Sequence, residues 1–426
     1  MSFRQDWNEF WFKPRPSGPL GLYRVLFGLL VLSWCALLAP DLFTWYSERG
    51  VMPLKALHAF NPGSYPYELD LLRHVTDPRA IVALFAVLSV AALFLTIGFC
   101  TRTSTIVTWV LLLTFQHRNE IILNSGDIFM RIMCFYLMFA PAGASCSVDR
   151  LIRIWRGKES AGDPPLITPW AQRLIQVQIS IVYLATVLGK ATGPFWQNGT
   201  AVYYPLHMKE MQRFWLPFLG STSGDTFHMV LLNLLTYGTM AVELSMATLI
   251  WVPRLRGYVL AAGTALHVGI EYMMNIPLFS ALMITSYVNF VPNAWIERFV
   301  AFWTRVLWRS EVTIRYAERG SLPALIAVLS RTDCLHLAAF APLVKSKGDD
   351  PDKLIEVEDR RGRVRSGFAG LRWAMWRMPG LWLKALLCCL PGMVKVGDWW
   401  LRRWASDTAS RPVAAVQEVP VSVRTS

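Results

Sequence analysis

The sequence predicts an all-α polytopic membrane domain of about eight transmembrane helices, followed by a small α/β domain, on three observations. Hydrophobic residues make up 54% of the 426 and charged residues 17%, an apolar excess that must face something other than water. Long apolar runs fill the chain as far as Phe302, and beyond it they shorten while charge rises. Before that point, runs near 20–39, 80–99, 104–122, 127–142, 171–190, 228–252, 257–275 and 278–298 approach the ~20 residues that a bilayer crossing needs. The membrane domain is thus expected over 1–300, the α/β domain over 305–408, and a disordered Val/Pro-rich tail over 409–426.

The first run is too long for a signal-peptide core and has no small-x-small cleavage site, so it is expected to stay as a span. Ahead of it, Trp7, Phe10, Trp11 and Phe12 among charges suit an interfacial amphipathic helix. In the second part, Glu311–Glu318 and Leu335–Phe340 read as strands and Leu322–Leu329 as a helix. Lys353–Gly367 reads as a hairpin turning at Asp359–Gly362, and helices follow at 368–378, 381–390 and 394–405.

The formal charge of +13 does not form a continuous stripe of the kind nucleic acid requires. Its arginines and lysines cluster beside apolar runs, where they set topology. Arg4, Lys13, Arg15, Arg102, Arg150, Arg153, Arg156, Lys158, Arg254, Arg256, Arg305 and Arg309 fall in one set of loops, which predicts a cell-membrane protein with both termini cytoplasmic. The lipid bilayer is then a partner and nucleic acid is not. Seven cysteines, four of them in apolar stretches, imply no disulfide framework. The histidines are dispersed, with no zinc or haem spacing, so no metal is expected, and no phosphate loop or G-x-S-x-G elbow occurs.

Charges inside a membrane need a partner or a purpose. In the fifth run, Gln176, Ser180, Tyr183, Val187 and Lys190 share one helical face. Lys190 closes that stripe either as a functional amine or as a snorkelling anchor. His267 and Glu271 are i,i+4 neighbours, so His267 is either a site residue or a core histidine satisfied by Glu271. Asp127 and Arg131 have the same spacing and read as an ion pair. Glu243 has no cation on its own helix, so its partner must come from another, Lys190 or Arg131 being the candidates.

Several of these stretches resemble the HTTM (horizontally transferred transmembrane) domain family, the membrane part shared with vitamin K-dependent gamma-carboxylase. They are Tyr23-Arg24-Val25-Leu26-Phe27-Gly28, Tyr46-Ser47-Glu48-Arg49-Gly50-Val51-Met52-Pro53, Arg118-Asn119, Asn124-Ser125-Gly126-Asp127 with Arg131, Gln178 and Tyr183 leading to Gly189-Lys190, Trp196, Gly199-Thr200-Ala201, and His267-Val268-Gly269-Ile270. In the carboxylase, a lysine in the segment similar to Tyr183–Trp196 deprotonates vitamin K hydroquinone, and oxygenation then yields an alkoxide able to take a proton from a glutamate. The resemblance implies Lys190 as base, His267 and Glu243 as catalytic partners, and Asp127, Arg131, Tyr183 and Trp196 as substrate-binding residues. It implies a quinone or hydroquinone as cofactor. One lysine stands where the carboxylase has a pair, and nothing here is similar to its β-rich lumenal domain, so protein carboxylation does not carry over.

The tail resembles the DCC family of thioredoxin-like proteins across Leu354-Ile355-Glu356-Val357-Glu358-Asp359, Gly362, Met378-Pro379 and Leu390-Pro391-Gly392. Tyr316-Ala317-Glu318-Arg319-Gly320-Ser321-Leu322-Pro323 stands where the Asp-Cys-x-x-Cys signature belongs. With both thiols absent, disulfide exchange is not expected. Two functions stay open. One is a gamma-carboxylase-like enzyme, of lyase or oxidoreductase type, acting on a quinone-like or other lipophilic small molecule with Lys190 as base. The other is a non-catalytic membrane factor for assembly, maturation or export that docks a protein partner through its tail.

Overall fold

A computed structural model describes residues 2–60, 70–159, 164–214, 226–307, 312–332, 337–343, 354–359, 361–378 and 381–406. Contacts divide the chain into two units, Met1–Asp149 with Pro164–Ile296, and Arg150–Asp163 with Glu297–Ser426.

The first unit is helical. Phe3–Phe12 (α1) precedes Gly18–Leu38 (α2), which has a proline in its first turn, where a missing N–H costs nothing. A 3₁₀ turn leads into Leu42–Tyr46 (α3), and Leu54–Phe60 (α4) follows. Pro78–Ile97 (α5) is capped by Asp77 and stops at Gly98, whose φ of 70° suits glycine. Next come Thr101–Arg118 (α6), Ser125–Phe139 (α7) and Val148–Trp155 (α8), the last running into the second unit. Trp170–Ala191 (α9), Pro194–Gln197 (α10), Tyr203–His207 (α11), Thr226–Ala247 (α12), Arg256–Met273 (α13) and Phe279–Tyr287 (α14) complete the series, and Asn293–Leu307 (α15) passes into the second unit at Glu297. Arg15–Pro16 (β1) pairs antiparallel with Leu166–Ile167 (β2).

Among the described residues, four helical stretches are long and apolar enough to cross a membrane: Gly18–Tyr46, Pro78–Ile97, Trp170–Ala191 and Thr226–Ala247. Four other runs expected as spans form helices that are shorter or more polar. The run 278–298 is not one helix. Leu278 starts α14 from a left-handed conformation (φ 62°), a 3₁₀ turn at Val288–Phe290 ends it, and Pro292 separates that turn from α15.

A close helix approach and a buried cation lie within this apolar packing. Gly28 lets the α5 backbone at Thr96 come close to α2. Arg24, fully buried, donates to the Leu95, Thr96 and Cys146 carbonyls. The first two lie in the last turn of α5, where the Leu95 carbonyl also accepts the Gly98 N–H (3.2 Å) and a cation is favoured by the helix dipole.

The second unit holds Val312–Tyr316 (β3), Leu322–Thr332 (α16), Ala338–Pro342 (β4), Ile355–Asp359 (β5), Val364–Ser366 (β6), Gly367–Met375 (α17), Trp382–Leu387 (α18) and Met393–Ser406 (α19). Its sheet order is β4-β3-β5-β6, with β3/β4 parallel and the other pairs antiparallel. Strict alternation along β3 and β5 buries Val312, Ile314, Ile355 and Val357 against Leu322, Ile326 and Leu371. The expected hairpin turns where Asp359 accepts the Arg361 and Arg363 N–H groups and Gly362 has φ 71°. The described cysteines are all free. Cys334 and the predicted tail from 409 lie outside the described residues.

Candidate functional site

The stripe on α9 faces into the first unit at each step. Gln176 donates to the Asn289 carbonyl and accepts from Arg173 Nη1 (2.8 Å), and Ser180 accepts from Trp251 Nε1 (3.0 Å). Tyr183 and Val187 are buried. At its end, Lys190 Nζ donates to Glu243 Oε1 of α12. Thr186, one turn earlier on α9, donates its hydroxyl to the Tyr183 carbonyl (2.9 Å) and only distantly to Glu243 Oε2 (3.4 Å), and the ammonium lies 4.8 Å from the centre of the Trp196 ring. Of the two candidate partners for Glu243, the structure therefore supplies Lys190.

Behind Tyr183 runs a second polar chain. The Tyr183 hydroxyl is 2.8 Å from His267 Nε2 on α13 and hydrogen-bonds the Tyr287 hydroxyl of α14. Among the described residues, His267 Nδ1 has no hydrogen-bond partner. Nothing in the sequence picked out Tyr287, because an aromatic inside an apolar run reads as core; its partners come from two other helices.

Both constellations open onto one cavity of about 470 Å³. Lys190, Glu243, His267, Tyr183, Trp196 and Thr186 are on its wall, and Phe129, Leu235, Met273, Phe279 and Met283 are among the apolar groups that make up most of the rest. That size and lining suit a small ring system with a few oxygens held by convergent polar groups. Among the described residues, no cluster of three His, Cys, Asp or Glu could hold a metal ion.

Two expected pairings are corrected. Asp127 does not pair with Arg131: its carboxylate accepts the Asn124 N–H (2.8 Å) in a capping box and the indole N–H of Trp34 (2.9 Å). At the third position of a helix, an Asp side chain folds back over the N-cap and cannot also reach forward to i+4. Arg131 Nη1 is buried without a hydrogen-bond partner among the described residues. Neither residue lines the cavity, although their neighbours Ser125 and Phe129 do. His267 is not satisfied by Glu271, which pairs instead with Arg213 at 2.9 Å.

The motif loop after the first span has a structural role that spacing alone did not reveal. Arg118, fully buried at the end of α6, donates to the carbonyls of Met52 (3.0 Å) and Tyr46 (3.4 Å), while Asn119 donates to that of Trp45 (3.1 Å). The Arg118-Asn119 pair thereby clamps the 45–52 loop.

Long apolar helices and the cavity that they line define a helical membrane protein. A family model described as HTTM domain matches residues 12–295, and the chain belongs to that family. No curated protein and no solved structure matches it.

Proposed function

We propose that the cavity is the reaction chamber of a membrane enzyme acting on a quinone-like or other lipophilic substrate, with Lys190 as the base. The observation that carries this reading is the Lys190–Glu243 pair, joined across two helices on the wall of an otherwise apolar cavity that also holds His267 and Tyr183. Groups serving as membrane anchors would face headgroups or pair off apart from one another. A base must be neutral before it takes a proton. Lys190 reaches that state by passing its proton to the Glu243 carboxylate, which creates no net charge in the low-dielectric interior. The amine then accepts the proton of a substrate hydroxyl. His267 and the Tyr183 hydroxyl bind substrate oxygens, and Trp196 with Phe129 and Phe279 encloses the ring. The resemblance to gamma-carboxylase supports the same assignment of Lys190, and Asp127 serves by capping α7 beside the cavity.

In this reading the first unit crosses the cell membrane about eight times with both termini cytoplasmic, the shorter helices crossing as part of the bundle. The C-terminal unit is a degenerate thioredoxin-like module that docks a protein partner. Its strand order, with a parallel β3/β4 pair followed by an antiparallel β5/β6 hairpin, and the missing cysteine pair support this.

The test is Lys190→Arg in the full chain, reconstituted in proteoliposomes and assayed for consumption of a reduced naphthoquinone. Arginine keeps the charge and can still meet Glu243, but with a pKa above ~12 it cannot act as a base near neutrality. Normal expression with loss of turnover is expected. Unchanged turnover would defeat the assignment.

A further inference from the structure

Away from the cavity, Arg15, Arg173 and Arg256 line a second pocket of about 240 Å³, walled by the β1 segment and the first turns of α9 and α13. Arg173 is 7% exposed and fixed in place. Its Nε donates to the Phe10 carbonyl (3.1 Å), its Nη1 to Gln176 (2.8 Å), and its guanidinium lies 4.3 Å from the centre of the Phe10 ring. Arg256 is tied through Nε to the Ile250 carbonyl at 3.1 Å, and among the described residues its terminal nitrogens make no hydrogen bond. Arg15 makes no ion pair among the described residues, and neither do the other two. No Asp or Glu lines the pocket. Lys190–Glu243 and Arg213–Glu271 do pair with opposite charges, and fully buried Arg24 donates to three carbonyls, whereas these three arginines face one open pocket.

Topology alone does not explain this arrangement. A topology-setting arginine snorkels to water and has no need of burial or a fixed rotamer, whereas Arg173 is held by backbone and side chain and electrostatically opposed by both of its companions. The helix dipoles add to the imbalance, since α2, α9 and α13 all begin beside the pocket and their first turns carry partial positive charge. A planar guanidinium suits a tetrahedral oxyanion through bidentate donation, and three of them around a small pocket suit one doubly charged group.

We infer that Arg15, Arg173 and Arg256 form a binding site for a phosphate group, belonging either to a free phosphate compound or to an anionic lipid headgroup. The site is separate from the Lys190 cavity and does not depend on the reading of that cavity.

The experiment uses the full chain in phosphatidylcholine nanodiscs. In one arm inorganic phosphate is titrated and binding followed calorimetrically. In the other, phosphatidylglycerol is added to the bilayer and the lipid retained by the protein is measured by native mass spectrometry. Saturable phosphate binding identifies a soluble ligand, and selective phosphatidylglycerol retention identifies a headgroup; either supports the site. Arg15→Gln and Arg256→Gln should each weaken the bound species roughly tenfold. Lys13→Gln removes one nearby positive charge that is exposed, paired with Glu9 and outside the pocket, and should leave binding unchanged. Absence of binding in both arms, or an equal loss in Lys13→Gln, would overturn the inference. Because Arg15 is exposed, its variant should fold even where a change at Arg256 disturbs the α13 terminus.

Discussion

Cutting the Lys190–Glu243 pair should cost unequally, depending on which partner is removed. Lys190 is the penultimate residue of α9 and its side chain is 21% exposed, so without Glu243 its long stem can carry the ammonium toward the membrane interface. Glu243 lies more than a turn inside α12 with its side chain 10% exposed, and its one remaining donor would be the Thr186 hydroxyl, which must turn toward it from the Tyr183 carbonyl. A stranded charge in a membrane helix costs ~3 kcal/mol on the insertion scale, and one hydrogen bond returns about 1 kcal/mol. Lys190→Met should therefore destabilise the protein by about 2 kcal/mol, roughly 30-fold in the unfolding equilibrium, and Glu243→Gln by less than ~1 kcal/mol. The double variant strands no charge and should recover to within about 0.5 kcal/mol of the parent. Reversible unfolding in mixed bicelles and detergent, measured on all four proteins, gives the coupling. Additivity to within ~0.5 kcal/mol, or a larger loss for Glu243→Gln than for Lys190→Met, would refute the reasoning.

Three further outcomes are expected. Gly28→Ala places a Cβ 2.8 Å from Thr96 Cα and 2.9 Å from its N, so α2 and α5 must part, and the melting temperature should fall in line with a loss of about 1–3 kcal/mol. Arg118→Met leaves the Met52 and Tyr46 carbonyls without their donor; faster proteolysis of the 45–52 loop is expected, together with a loss of about 2 kcal/mol. The third outcome concerns pH. The Asp359 carboxyl is held below the usual carboxylate range, chiefly by the Arg363 backbone N–H and then by the Arg363 guanidinium and the Arg361 N–H. A lowered folded value means that its support is fully present above about pH 4 and disappears as pH falls through the folded value. Amide protection factors over 355–359 and 361–366 should therefore drop in acid for the parent and stay level in Asp359→Asn.

Helices were legible wherever an apolar run was long enough to need no partner to declare itself. The runs 20–39 and 171–190 correspond to Gly18–Leu38 and Trp170–Ala191, because burial in lipid and burial in protein demand the same residues. The run 278–298 misled for that reason: apolarity continued through Pro292, while the backbone could not. In the site, spacing along one helix placed Gln176, Ser180, Tyr183 and Lys190 on a common face. It failed for Asp127 with Arg131 and for His267 with Glu271, since an i,i+4 rule knows nothing of a competing cap or of Arg213 arriving from another segment. Glu243 was readable in reverse, because a carboxylate lacking a cation on its own helix implies one on a neighbour.

The brevity of α7 and α14 bears on the bilayer itself. At 1.5 Å per residue, the 15 residues of α7 reach about 22 Å and the 9 of α14 about 14 Å, against a hydrocarbon thickness of ~30 Å. Both contribute to the cavity wall, through Phe129 and through Phe279 with Met283. On the proposed eight-span reading, lipid beside them thins or neighbouring helices shield the shortfall, at a fraction of a kcal/mol per ångström of mismatch. Thinning on that flank would bring headgroup water closer to the cavity than an undistorted membrane allows, and on the proposed reading it would shorten the route by which the base exchanges protons.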